Sequence, residues 1–396
     1  MNNRERFLNI LAGKPVDRVF NLEVGLWPQT AQRWIGEGMP GRALDSKSDF
    51  KWPHAEDCFS EEYIFYDKKP PSFFHQLSGY LEYARINTYI PDPPLEEEVI
   101  EEDERTIVFR DACGITHKAM KEGALNGMRP CMDQHLAFPV TCREDFLRLK
   151  KHYIASFDRF PENWDAKVEK WLDAGRDYPL GLFYIGEFGY YSLLRRWMGT
   201  ENASFVFYDD PRLVEEMMEF MTDYALGLLD MACSYGLEYD FFHIFEDMCF
   251  NNGPLISPEM FTRFLLPQYK RLISEVKKRG IDNIYVDCDG NIGKLLPIWL
   301  DAGVNMFLPM EVKAGSDPIS IRKEFGNDFA MLGGIDKFTL TKTKADIERE
   351  VRTTLGAMLP IGRYIPSLDH LVQPNVPYEN FLYYLEVKEE CLAGRK

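Results

Sequence analysis

The sequence predicts an α/β protein built on a (β/α)8 barrel, and three observations carry that expectation. From about residue 178 onward, short β-rich apolar runs alternate with longer helix-patterned stretches, the rhythm of repeated βαβ units. The apolar runs are nearly continuous, as strands buried on both faces by crossover helices must be. The residues just beyond them are repeatedly acidic or histidine: Glu187, His243 with Glu246 and Asp247, Asp287 and Asp289, Glu311, Asp336, and Asp369 with His370. In a closed barrel such exits converge on one mouth, whereas an open sheet strings them along an edge. The barrel is the more economical reading.

Taken in order, Val19 to Gly25 reads as a first barrel strand. Residues 40 to 165 read as an inserted helical and hairpin region able to cover the mouth, in a single domain spanning 1 to 396. Within it, EVIEEDERTIVFRDACGITHKAM has the pattern of a meander turning at Asp103 to Arg105 and at Asp111 to Gly114. The later strands are expected at Pro179 to Ile185, Asp240 to Phe245, Asn283 to Val286, Asn305 to Pro309, Phe329 to Leu332 and Arg363 to Pro366. Between them lie helices at Pro211 to Tyr235, Pro258 to Arg279, Ile292 to Ala302 and Lys344 to Leu359. For the helix from Pro258, Ser257 supplies an N-cap, Lys277 to Arg279 suit the last turn, and Gly280 suits the stop.

Composition narrows the class. A chain of 396 residues that is 45% hydrophobic and 14% aromatic can bury a large core, which excludes general disorder. Its net charge of −17 makes nucleic acid and anionic membrane surfaces poor partners. No apolar window is long enough to span a membrane, and the start, MNNRERFLNILAGKPVDR, is charged where a signal peptide needs its apolar centre; a cytoplasmic location is expected. The eight cysteines are scattered, without C-x-x-C, and read mostly as reduced, small apolar residues. Neither phosphate-binding glycine motif occurs, so ATP and nicotinamide cofactors have no support.

Five places carry candidate chemistry. In Tyr285-Val286-Asp287-Cys288-Asp289-Gly290-Asn291, carboxylates two residues apart at a strand end can converge on a cation or a protonated substrate atom, and Gly290 permits a sharp turn; Asp289 could equally cap the following helix. Asp369-His370 pairs an acid with an imidazole at the last strand exit. His243 to Asp247 ends an apolar strand in two acids, Glu246 and Asp247, which need a partner if buried. Tyr184, Glu187, Phe188 and Tyr190 lie where glycines alternate with aromatic rings, either a pocket wall around one acid or ordinary core. Asp336, in Gly333-Gly334-Ile335-Asp336-Lys337, faces the mouth or belongs to a turn.

At these residues the chain resembles the uroporphyrinogen decarboxylase superfamily. The likeness runs through Arg4 to Phe7 with Pro15 to Arg18, Asn252 to Pro258, Asp287 to Asn291, Gly333 to Lys337 and Pro374 to Asn380. It implies a (β/α)8 barrel and one of two branches: tetrapyrrole decarboxylases, or methyltransferases that exchange methyl groups with a corrinoid carried on a separate protein. The decarboxylases resemble one another in an early R-Q-A-G-R motif that grips substrate carboxylates. This chain has none, reads Glu23 to Thr30 around Trp27 instead, and is strongly acidic, which opposes a polycarboxylate substrate. The methyltransferase branch is implied to hold zinc through H-x-C and a later Cys, positions occupied here by Asp287, Asp289 and His370. That set is harder than a thiolate site, so soft zinc binding and thiol activation are put in question.

The resemblance thus implies a methyltransferase acting on a small methoxy or methylamine-type compound and passing the methyl group to a corrinoid protein. Asp287, Asp289 and His370 would surround the reacting heteroatom, directly or through a divalent metal such as zinc, with Glu246 or Asp247 as a further acid. Trp27, Tyr184, Phe188 and Tyr190 would form an apolar wall, and Glu187, His243 and Asp336 would also line the substrate site. The alternatives are a metal-independent lyase or decarboxylase of a small acid, with Asp289 or His370 as proton donor, and a non-catalytic binding protein. The methyl donor and the oligomeric state are left open.

Overall fold

A computed structural model describes residues 1–41, 69–122, 125, 129, 132–183 and 188–394. Its centre is a curled parallel sheet of seven strands that pair in chain order: β1 (Glu82–Ala84), β2 (Leu180–Leu182), β3 (Phe241–Phe245), β4 (Ile284–Asp287), β5 (Met306–Leu308), β6 (Ala330–Ile335) and β7 (Tyr364–Leu368). Six of the seven fall within predicted runs or overlap them. β1 does not: it lies inside the span read as an insertion and pairs in parallel with β2, so that insertion is interrupted by a strand of the central sheet.

Side chains alternate across the strands, and this divides the core in two. Tyr83, Phe241, Tyr285, Met306, Leu308, Ala330, Leu332 and Ile365 point inward and form one buried cluster. Ile244, Val286, Phe307, Met331 and Tyr364 point outward into the larger cluster beneath the helices. The inner cluster is closed at one end by Phe7, Ile10 and Leu11 of the Asn3–Leu11 helix, which a capping box from Asn2 and Glu5 starts.

Residues 19–25, expected as a strand, form no ladder. The Asn21 carbonyl accepts from the amides of Ser78 and Gly79, and the Leu22 carbonyl accepts from Lys388 Nζ, so acceptors a ladder would use are already taken. The segment still runs beside β7's exit, where Leu26 bridges Val372 in parallel. Glu23 is buried there and accepts from Lys388, Tyr384, Ser367 and the Leu368 amide.

The predicted meander is present as antiparallel strands Glu98–Glu102, Thr106–Arg110 and Thr116–Met120, joined by Gln134–Ala137. The helix expected over Pro258 to Arg279 is split by a π-turn at Phe261–Leu265 before Leu266–Lys278. Pro267, which has no amide hydrogen, cannot continue the regular bonding pattern there. Six cysteines among the described residues are free, Cys113, Cys249 and Cys288 being buried. Among the described residues, no helix is long and apolar enough to cross a membrane.

Candidate active site at the strand exits

The exits of β3, β4 and β7 bring Asp247, Asp287, Asp289 and His370 together. His370 Nε2 stands 3.5 Å from Asp289 Oδ2, with the two side chains 30% and 40% exposed, so this pair faces open space. The Asp289 amide donates to Asp247 Oδ1 at 3.3 Å, tying the first two exits together. Asp287 is buried below them, with Oδ2 3.6 Å from Nε2 of the fully buried His243. The turn that presents Asp289 requires Gly290: its φ is +87°, and a Cβ there would meet the Cys249 carbonyl carbon at 2.7 Å. Cys288 points the other way, into the outer core.

Beneath this rim the loops are cross-tied. Glu311 accepts from the Gly290 amide at 2.9 Å through Oε2 and from Lys337 Nζ at 2.8 Å through Oε1. Asp369, wholly buried, accepts from the amides of Val312 and Lys337. Sequence reasoning passed over Lys337 as a site residue; a lysine directly after a strand-exit acid was the available signal. Arg195, also missed, is half-buried on the Tyr190–Asp209 helix, and its charge acts on Asp247.

Electrostatics give these groups different characters. Burial, and then the charge of Asp289, push Asp247 up to about 6. Burial also tends to raise Asp289, but the charge of His370 outweighs it and holds that carboxyl below the usual range. For His370 the balance is reciprocal: burial favours the neutral ring, and Asp289 outweighs it and holds the imidazole above its ordinary value. Asp287 is raised well above the ordinary carboxylate value by burial and by Asp289 and Asp247. Burial pushes Asp369 up to about 6 and His243 down to about 3. The rim thus carries a charged imidazolium–carboxylate pair with protonatable acids beside and below it.

Several expected site residues are employed elsewhere. Glu246 is fully buried and faces away from the mouth; it accepts from the amides of Tyr190, Tyr191 and Ser192 and from the Tyr269 hydroxyl. It satisfies the open end of the Tyr190–Asp209 helix, whose first amides have no helical acceptor, and is not a further acid at the mouth. Phe188 and Tyr190 are wholly buried; the Tyr190 hydroxyl meets Thr222 at 2.9 Å and the Gln268 carbonyl at 3.2 Å, so both rings are core and not pocket wall. Asp336 caps the short helix Lys337–Thr341 through the Phe338 amide and pairs with Lys313, so it does not face substrate. His243 lies too deep to touch a molecule at the rim. Trp27 is partly exposed beside Val372, two residues beyond His370. Tyr184 and Glu187 lie outside the described residues.

The three donors implied for zinc are divided: Asp289 pairs with His370, whereas Asp287 lies deeper, against His243. Among the described residues, no group of three or more His, Cys, Asp or Glu side chains is gathered to hold a metal. The arrangement does not fit a zinc cage; it does suit proton donation from His370 to a heteroatom at the rim.

The uroporphyrinogen decarboxylase (URO-D) family model matches residues 144–390, which include every strand exit discussed. Curated uroporphyrinogen decarboxylases from Syntrophotalea carbinolica and Myxococcus xanthus are 24% and 26% identical to it over 188 and 206 residues, 45% and 51% of this chain. The chain spans about half the length of these relatives, 49% and 52%. A solved structure described as a methyltransferase from Methanosarcina mazei shares the fold at a TM-score of 0.60 with 14% identity, over 98% of this chain and 99% of that one.

Proposed function

The chain belongs to the uroporphyrinogen decarboxylase family, and on that premise we propose that it is a methyltransferase that removes a methyl group from a small methoxy or methylamine-type compound and delivers it to a corrinoid on a partner protein. The observation that carries this reading is the partly exposed Asp289–His370 pair at the strand exits of the curled parallel sheet. An unactivated bond from methyl carbon to oxygen breaks only if the electron pair left on oxygen is stabilised. Here the methyl carbon forms a bond to the acceptor's electron pair, the carbon–oxygen bond breaks, and the electron pair stays on oxygen. The ring proton of His370 that is not turned to Asp289 passes to that oxygen. Asp289 holds the ring charged and oriented, and Asp247, tied to the Asp289 amide, fixes the spacing of the two exits. The structure of Methanosarcina mazei shows that a methyltransferase is built on this fold, and the absence of an early arginine cluster further favours a substrate without many carboxylates.

The names of the curated relatives favour a second reading, in which the same imidazolium protonates the carbanion left when a small acid loses carbon dioxide. One experiment separates the two. The protein is incubated with cob(I)alamin and a panel of methoxylated compounds, N-methylated compounds and small carboxylic acids, and the loss of cob(I)alamin absorbance and the release of carbon dioxide are followed together. Methyl transfer abolished in His370→Gln supports the first reading. Carbon dioxide release without methyl transfer replaces it with the second.

A further inference from the structure

Proton donation at the rim gives His243 no task, yet its placement is specific. The ring is wholly buried in β3, stacked on Tyr285 with centroids 4.7 Å apart and set against Tyr83 at 5.6 Å. Neither ring nitrogen has a hydrogen-bond partner among the described residues. A phenylalanine or leucine would fill the same space without leaving two polar atoms unsatisfied, an arrangement that costs about 1–3 kcal/mol per buried group. The neighbouring interior positions, Phe241 and Tyr83, are aromatic, so packing alone does not call for imidazole.

The polar atom that faces the ring is Oδ2 of Asp287, 3.6 Å from Nε2 and just beyond hydrogen-bond range. Strand register sets this meeting: Tyr285 pairs with His243 and Asp287 with Phe245, so the Asp287 carboxyl stands one pleat above the imidazole on the inner face. The charged groups that act on Asp287 from above are Asp289 and Asp247. From below, the His243 ring meets it in a layer that also holds Tyr83 and Tyr285.

We infer that His243 is a positioning residue for Asp287, an imidazole sunk in the interior of the curled sheet that holds one carboxyl oxygen from beneath by a polar contact at 3.6 Å. Its role in turnover rests on the function proposed above; the contact itself does not. The test uses the full chain with histidine-selective 15N labelling, the His243 signals among the seven histidines being assigned by their loss in His243→Gln. In Asp287→Asn the His243 ring signals move; signals left in place overturn the pairing. Under methyl-transfer assay, His243→Leu lowers kcat by about tenfold or more with KM nearly unchanged, as expected when Asp287, which lies beneath Asp289 and Asp247 and interacts with both, is misplaced, and His243→Gln restores part of it. Equal kcat in wild type and His243→Leu overturns the role. A chain without methyl transfer whose His243 signals still respond to Asp287→Asn refutes the proposed reaction and keeps the contact.

Discussion

Replacement of Glu246 tests whether a conspicuous acid at a strand exit serves the fold. Its two oxygens share four donors evenly: Oε1 accepts from the amides of Tyr191 and Ser192 at 2.6 and 3.1 Å, and Oε2 from the Tyr190 amide at 2.8 Å and the Tyr269 hydroxyl at 2.5 Å. Glu246→Ala leaves all four buried donors without an acceptor, and at about 1 kcal/mol each the loss is about 4 kcal/mol, a large part of the 5–15 kcal/mol typical of a folded domain. Glu246→Gln keeps one oxygen and turns the other into a donor that opposes two donors, so the loss is about half, roughly 2 kcal/mol. The approach of helix and strand makes relaxation difficult: a Cβ at Gly189 would lie 1.8 Å from the Phe245 carbonyl oxygen. Urea unfolding followed by far-ultraviolet circular dichroism measures both variants against wild type. If Glu246→Ala costs less than Glu246→Gln, or both lie within about 0.5 kcal/mol of wild type, the capping role is refuted.

Three further outcomes follow from the same geometry. Turnover depends on pH as a bell: because Asp289 raises His370, activity persists past the ordinary imidazole value of about 6.5 and is lost as pH rises through the raised one, while protonation of Asp247 near 6 sets the acid limb. A kcat profile whose alkaline midpoint lies below that ordinary value removes His370 as the donor. The same pair makes stability pH-dependent in two directions: the His370 contribution is full at low pH and lost as pH rises through its raised value, and the Asp289 contribution is present above the unfolded carboxylate value and lost as pH falls through its lowered one. Stability of His370→Gln against wild type between pH 3 and 9 should therefore differ most in the middle of that range; a constant difference contradicts the pairing. Finally, Tyr190→Phe removes the bond to Thr222, lowers stability by about 1 kcal/mol and leaves KM unchanged, whereas a raised KM would return that ring to the substrate wall.

The sheet was legible because its strands are buried on both faces: runs such as Phe241–Phe245 and Ile284–Asp287 announce themselves by unbroken apolarity. Glu82–Ala84 was not, since three residues beginning with an acid carry no such run. Residues 19–25 show the opposite error: their apolar side chains do enter the inner core, but the backbone bonds elsewhere. At the site, Asp289 and His370 were legible by type and place. Glu246 and Asp247 could not be told apart from composition, because adjacent residues leave a strand toward opposite faces, one to a helix start and one to the rim. The double use of Asp287 and Asp289 with different histidines depends on packing depth, which spacing along the chain does not encode.

The Asn3–Leu11 helix has a kinetic consequence. With Phe7, Ile10 and Leu11 packed across one end of the inner core and Met306, Leu308 and Leu332 filling it, apolar side chains among the described residues close the end of the curled sheet remote from His370. On the proposed reaction, donor entry and product exit use the same opening on which a macromolecular acceptor must sit, so traffic is one-way at a time.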